Sequence, residues 1–130
     1  FERPNTTFVG YFIGSPAMNL FESEASENNC VKINNTLIKT NTNLSNLKNK
    51  NVKLGIRSEF IKIAKNQSEN LVDVNVEKVE DLGNYKLITA KMGNLTIKSK
   101  VKRETEISDQ NVKLHIPPEK CCVYEENKLI

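Results

Sequence analysis

A chain of 130 residues with 38% apolar and 27% charged side chains buries one modest core and is too apolar for wholesale disorder. The formal net charge of +3 is mild, and its lysines and acids are interspersed, which argues against a dedicated nucleic-acid binder with its basic residues gathered on one face. Cys30, Cys121 and Cys122 form no CxxC pair, and an odd count with two neighbours reads as reduced thiols of a cytosolic protein, not as a disulfide framework.

In chain order, Thr6–Ile13 predicts a short helix. Asn5 or Thr6 caps its start, Phe8 and Phe12 share one face with Val9 and Ile13, Gly14 offers the left-handed stop, and Pro16 forbids continuation. The whole apolar stretch from Phe8 to Phe21 is interrupted by Gly10, Gly14 and Pro16 and is shorter than the roughly 20 residues of a membrane span, so neither a span nor a secretory signal is read. From Ala17 the chain enters a strand. Asn41–Asn51 is a polar loop.

Three stretches then alternate with period two: Val52, Leu54, Ile56 against Lys53, Gly55, Arg57; Val72, Val74, Val76 against Asp73, Asn75, Glu77; and Val112, Leu114, Ile116 against Lys113 and His115. Each predicts a strand with one buried and one wet face. Val79 falls on the wrong parity, which an extra residue near Glu77-Lys78 repairs, so a bulge is expected there. Tyr85–Lys91 and Leu95–Val101 flank Met92-Gly93-Asn94 and predict a hairpin; Lys65–Asn70 and Lys102–Asn111 are connections. "NVKLGIRSE" at 51–59 is echoed by "NVKLHIPPE" at 111–119, either by chance in a Lys/Asn-biased chain or because two analogous strands lie in one barrel-like sheet. Many short strands and one short N-terminal helix predict a mostly β, closed or half-closed barrel.

Reactive chemistry has little to build on. No GxxxxGK[ST] loop is present, the single histidine, His115, shares a solvated face with Lys113, and no His/Cys spacing suits a metal. No Ser/His/Asp set is visible, and Glu80-Asp81 and Glu125-Glu126 read as loop charges. Asn-x-Ser/Thr triplets such as Asn34-Asn35-Thr36 and Asn94-Leu95-Thr96 follow from the abundance of Asn. Catalytic residues: none; metal ligands: none.

Four ordered segments carry a resemblance. "RPNTTFVGYFIGSPAMNL" at 3–20 resembles the join between ATPase and accessory domain in the ATP-binding subunits of ABC importers for carbohydrates and glycerol-3-phosphate. "LGIRSE" at 54–59 resembles that family's Leu-Gly-Ile-Arg-Pro-Glu, "VEKVEDLGN" its Val-Glu-x-Leu-Gly, and "IPPEKCCVYEEN" its closing Pro-Pro-Glu segment. Departures are Ser58 for the family proline, Asn5 and Gly10 for two alanines, and either Val123-Tyr124 or a shifted pair for the usual Phe-Asp.

The resemblance implies an OB-like β-barrel of the transport-associated (TOBE-like) kind. Residues 1–19 would be the joining helix and elbow and 20–130 a regulatory β domain. The joining motif maps onto Phe8, Phe12, Gly14, Pro16, Met18 and Asn19, and the regulatory turn onto Leu54, Gly55, Ile56, Arg57 and Glu59. Such a domain does no chemistry and holds no cofactor. ATP and Mg belong to an N-terminal hydrolytic domain from which this segment would be excised, and permease contacts run through that domain. The implied partners are a second copy of the subunit and, in some members, a regulatory protein. The implied location is the cytoplasmic face of the bacterial inner membrane, with no direct membrane contact. Arg57 and Glu59 read either as a surface ion pair worth at most about 1 kcal/mol or as a fixed polar turn or subunit contact. Two other functions remain in view: an OB-type single-strand nucleic-acid binder, and a sensor of small oxyanions or sugars.

Overall fold

The computed structural model describes residues 18–47, 49–126 and 128–130. The helix expected over Thr6–Ile13, and with it Phe8, Phe12, Gly14 and Pro16, lies outside the described residues. The strands are β1 (Met18–Ala25), β2 (Cys30–Ile33), β3 (Thr36–Lys39), β4 (Asn51–Arg57), β5 (Lys62–Ile63), β6 (Leu71–Asp81), β7 (Tyr85–Met92), β8 (Leu95–Lys102), β9 (Asn111–His115), β10 (Cys122–Glu125) and β11 (Lys128–Leu129). Among the described residues the helical pieces are two single 3₁₀ turns, Ser58–Phe60 and Pro118–Lys120. The strands form a six-stranded sheet in the order β11-β10-β4-β1-β2-β3 and a five-stranded sheet in the order β5-β9-β6-β7-β8. The result is the mostly β, curled half-barrel expected of an OB fold.

Side-chain alternation builds the core between the sheets. Val72 and Val74 of β6, Leu114 of β9, Ile88 and Ala90 of β7 and Ile97 of β8 turn inward to meet Val31, Ile38, Val52, Leu54 and Ile56. The bulge falls where the valine phase predicts it, between Val76 and Lys78. It returns Val79 to the face of Ile88, yet Val79 stays 40% exposed, because β6 beyond Asn75 pairs with β7 alone. The β7–β8 hairpin closes on Gly93-Asn94, with Gly93 at φ 60°, the glycine-first arrangement of a type II′ turn. The β1–β2 turn uses Asn28 and Asn29, both left-handed (φ 58° and 61°), the geometry of type I′ that asparagine tolerates. The Asn41–Asn51 loop is less polar in place than in composition: Leu44 is buried in the core, and its N–H donates to Asn29 Oδ1 at 3.2 Å.

The echo between 51–59 and 111–119 is structural. β4 leads into the first 3₁₀ turn and on to β5, and β9 leads into the second and on to β10. The two strands do not share a sheet, as one reading of the echo supposed: β4 lies in the six-stranded sheet and β9 in the five-stranded one. Each turn therefore carries the chain from one sheet to the other, in opposite senses. The turns repeat in detail, with Ile61 N–H donating to the Ser58 carbonyl and Cys121 N–H to the Pro118 carbonyl, both at 3.3 Å. They also touch, with Lys120 Nζ 4.6 Å from the centre of the Phe60 ring.

Ser58 stands where the second turn has Pro118. It is fully buried and its hydroxyl finds no hydrogen-bond partner among the described residues. Arg57 before it is extended (ψ 142°), the conformation a following proline demands. Ser58→Pro should therefore raise stability by about 1 kcal/mol, through a stiffer unfolded chain and a removed orphan hydroxyl. Chemical denaturation checks this; an unchanged or lower midpoint would show that the Ser58 N–H or the space around it is already in use.

A second local device closes the β6–β7 corner. Asp81 Oδ1 accepts the Gly83 N–H at 3.0 Å, and both carboxylate oxygens lie 3.2 Å from Arg103 Nε. The Gly83 bond first, and Arg103 second, hold the Asp81 carboxyl below its ordinary value of 3.8. A depressed folded-state pKa means that this stabilisation is present above the unfolded-state value and is lost as pH falls through the folded one. An NMR titration should find the Asp81 midpoint below 3.8 and moved upward in Arg103→Ala; a midpoint at or above 3.8 would contradict the corner geometry.

Candidate functional site

The described end of the first segment singled out in the sequence, from Met18 on, and the second segment lie on neighbouring strands. β1 and β4 run antiparallel with Met18 opposite Arg57, Asn19 opposite Ile56 and Leu20 opposite Gly55. β10 lies on the other edge of β4, with Cys122 opposite Gly55 and Val123 opposite Leu54. Strand parity then sorts the residues. Leu54, Ile56, Phe21 and Val123 face the main core, whereas Met18, Leu20, Gly55, Cys122 and Tyr124 share the outer face.

That outer face is not wet, contrary to the reading of the alternation in β4. Met18, Cys122 and Tyr124 form a second buried cluster, with Leu20 and Leu129 packed against it. Gly55 is its floor. A β-carbon there would lie 2.9 Å from both Met18 Cε and Tyr124 Cε2 and 3.1 Å from Leu20 Cδ2, closer than packed carbons approach. The glycine serves close approach here, not backbone freedom.

Arg57 is buried, at 3% exposure, so the surface-pair reading does not hold. Its Nε donates to Glu59 Oε1 at 2.9 Å, and the Glu59 side chain is 36% exposed. A guanidinium withdrawn from water needs such a partner, and the bond spans the start of the 3₁₀ turn, fixing the polar turn. Asn19 points the other way, across the barrel. Its amide donates to the Lys98 carbonyl and accepts the Lys98 N–H, both at 2.9 Å, standing in for a strand residue between β1 and β8 of the other sheet.

Asn70 repeats this device without any signal in the sequence. It accepts the Lys39 N–H at 2.9 Å and donates to the carbonyls of Lys39 at 2.8 Å and Ile116 at 2.9 Å. It thus ties β3 of one sheet to the end of β9 in the other. Tyr124 and Cys122 are legible only by parity, as alternate residues around Val123. Ser99 adds another tie across the sheet edges, its hydroxyl donating to the Ile61 carbonyl.

These arrangements tie the strands of the two sheets together. Among the described residues no group of three His, Cys, Asp or Glu side chains is placed to hold a metal ion. No disulfide joins the three cysteines; Cys121 lies in the main core and Cys122 in the outer cluster. His115 is half-buried in β9, opposite Leu71 and Lys62. Phe21 and Tyr124 are buried, and Phe60 and Tyr85 each carry a lysine over the ring, so the described aromatics do not form the open stacking platform of a single-strand binder. Among the described residues no helix is long and apolar enough to cross a membrane.

A strand fastened to both sheets of a curled half-barrel is the framework of an OB-type domain. Residues 14–61 match the family model described as the MalK OB fold domain. The chain is similar to the sn-glycerol-3-phosphate import ATP-binding protein UgpC 2 of Agrobacterium fabrum, at 31% identity over 120 residues, covering 90% of this chain and 32% of that protein. It is also similar to UgpC of Psychromonas ingrahamii, at 34% identity over 112 residues (86% and 27%). The multiple sugar-binding transport ATP-binding protein MsmK of Streptococcus mutans matches at 33% over 111 residues (78% and 29%). The chain belongs with the OB-fold domains of ABC importer ATP-binding subunits. It spans about a third of the length of the curated relatives it matches.

Proposed function

We propose that this domain is the accessory part of an ABC importer's ATP-binding subunit of the glycerol-3-phosphate or sugar type, where it pairs two copies of the subunit and sets how each is oriented. On this reading ATP and Mg are bound and ATP is cleaved in a separate hydrolytic domain, which also meets the permease subunits. The assembly works at the cytoplasmic face of the bacterial inner membrane. The domain itself supplies no reacting group.

The observation that supports this most is the anchoring of β1. From Met18 to Glu24 its backbone is registered on β4, while Asn19 bonds to β8 of the opposite sheet. A strand held on both sides has no soft joint of its own, so displacement of whatever precedes Met18 is carried into the barrel as one body. The dry Gly55 cluster and the Arg57–Glu59 turn lie at that same end of β1 and β4. The test uses the subunit that carries this domain, assembled with its permease partners in vesicles. Asn19→Ala should lower substrate uptake per ATP cleaved while nucleotide binding is retained. Unchanged coupling in a variant shown to be folded would sink the idea that this strand transmits motion.

A further inference from the structure

The five-stranded sheet curls until its two outer strands, β5 and β8, face each other. They are not joined by a ladder. Lys62 Nζ donates to the Lys100 carbonyl at 2.7 Å and Ser99 Oγ to the Ile61 carbonyl, and beside these ties a cleft of about 360 Å³ stays open. Lys62, Lys65 and Lys102 line it with Gln67 and Thr105, over an apolar floor that includes Ile63 and Val101. Among the described residues no carboxylate lines it, and the carboxylate of Glu59, which acts on Lys62 from nearby, is bonded to Arg57.

We propose that the cleft between β5 and β8 is a binding site for a phosphoryl dianion, held by the ammonium groups of Lys62, Lys65 and Lys102 with the Gln67 amide and Thr105 hydroxyl as neutral partners. The inference does not depend on the pairing of subunits. Three cations around one small opening exceed what a single carboxylate neutralises and suit a group with two charges and several acceptor oxygens. The site is partly pre-arranged. The Lys62 tip is pinned on the Lys100 carbonyl, which takes one of its three N–H donors and leaves two for a ligand. The Gln67 side-chain oxygen already accepts the Lys65 N–H at 2.8 Å, which leaves its NH₂ as the donor. Lys100 and Lys102 share the strand parity of Lys98, whose N–H and C=O meet Asn19 across the same open edge of β8, so their backbone N–H groups point to that edge as well. Partial desolvation of its stem side, and then the charge of Lys100, already lower the pKa of the otherwise exposed Lys62, so the cation sits in a field that an anion relieves.

The test is an amide NMR titration of the chain at constant ionic strength. Inorganic phosphate and glycerol 3-phosphate serve as the free and esterified forms, and a single-stranded thymidine oligonucleotide as a third arm. Saturable shifts confined to the cleft segments, residues 62–67 and 100–105, are expected with at least one of the first two, and the tighter one names the source. Lys62→Gln and Lys102→Gln should each weaken binding about tenfold, while Lys98→Gln, outside the cleft, leaves it unchanged. All three are exposed side chains, and preserved spectral dispersion shows that the variants are folded. Shifts that grow linearly and spread over every lysine-bearing strand would overturn the proposal. So would an equal loss in Lys98→Gln, or an oligonucleotide that binds more tightly than either small anion.

Discussion

Gly55→Ala is expected to destabilise the domain by about 1–3 kcal/mol, seen as a melting temperature lowered by roughly 4–12 °C. The added methyl would stand 2.9 Å from Met18 Cε and from Tyr124 Cε2. Met18 can swing its terminal methyl away, but Tyr124 is 1% exposed and its rigid ring yields less readily than a methionine tip. The cost therefore depends on the tyrosine, and larger side chains at this position should prevent folding. Met18→Ala alone should cost about 2–5 kcal/mol by emptying part of the outer cluster. The double variant should cost less than the sum, because one of the two clashes has been removed. Strict additivity, or a neutral Gly55→Ala, would mean that the outer face of β4 is looser than described.

Asn70→Ala should cost about 3–4 kcal/mol, from three lost hydrogen bonds and a left-handed backbone that alanine disfavours. The residue is 8% exposed and sits at φ 55°. Chemistry orders the substitutions. Asn70→Gly keeps the backbone conformation and loses only the bonds, so it should be milder than alanine by about 1 kcal/mol. Asn70→Asp retains the acceptor for the Lys39 N–H but sets a carboxylate against the Lys39 and Ile116 carbonyls, and should be the most damaging at neutral pH. Urea unfolding of the three variants measures the order. Alanine and glycine falling together would show that backbone strain contributes nothing at this position.

Regular alternation made much of the fold legible. Val72 and Val74 predicted β6, Leu114 and Ile116 the face of β9, Gly93-Asn94 a hairpin, and the slipped phase of Val79 a bulge. β4 misled because Lys53, Gly55 and Arg57 read as polar, whereas Gly55 is the floor of a dry cluster and Arg57 is buried with its own carboxylate partner. A period of two tells which side chains share a face; it does not tell whether the far face meets water or more protein. The same limit applies to the echoed segments, whose likeness revealed matching strands and turns but not that they sit in different sheets. The described residues of the joining and turn motifs fall on β1, on β4 and in the turn after β4, though nothing in their spacing showed that Met18 and Arg57 are paired neighbours. Asn70 was invisible, since one asparagine in a polar connection looks like any other until both partners are in place.

Sedimentation velocity of the 130-residue chain over a range of concentrations, with ATP turnover read in the same samples, tests most directly whether this is a pairing module without chemistry. A reversible species of two chains and no release of phosphate from ATP are expected. A chain that stays single at every concentration, or one that cleaves ATP by itself, would contradict the account.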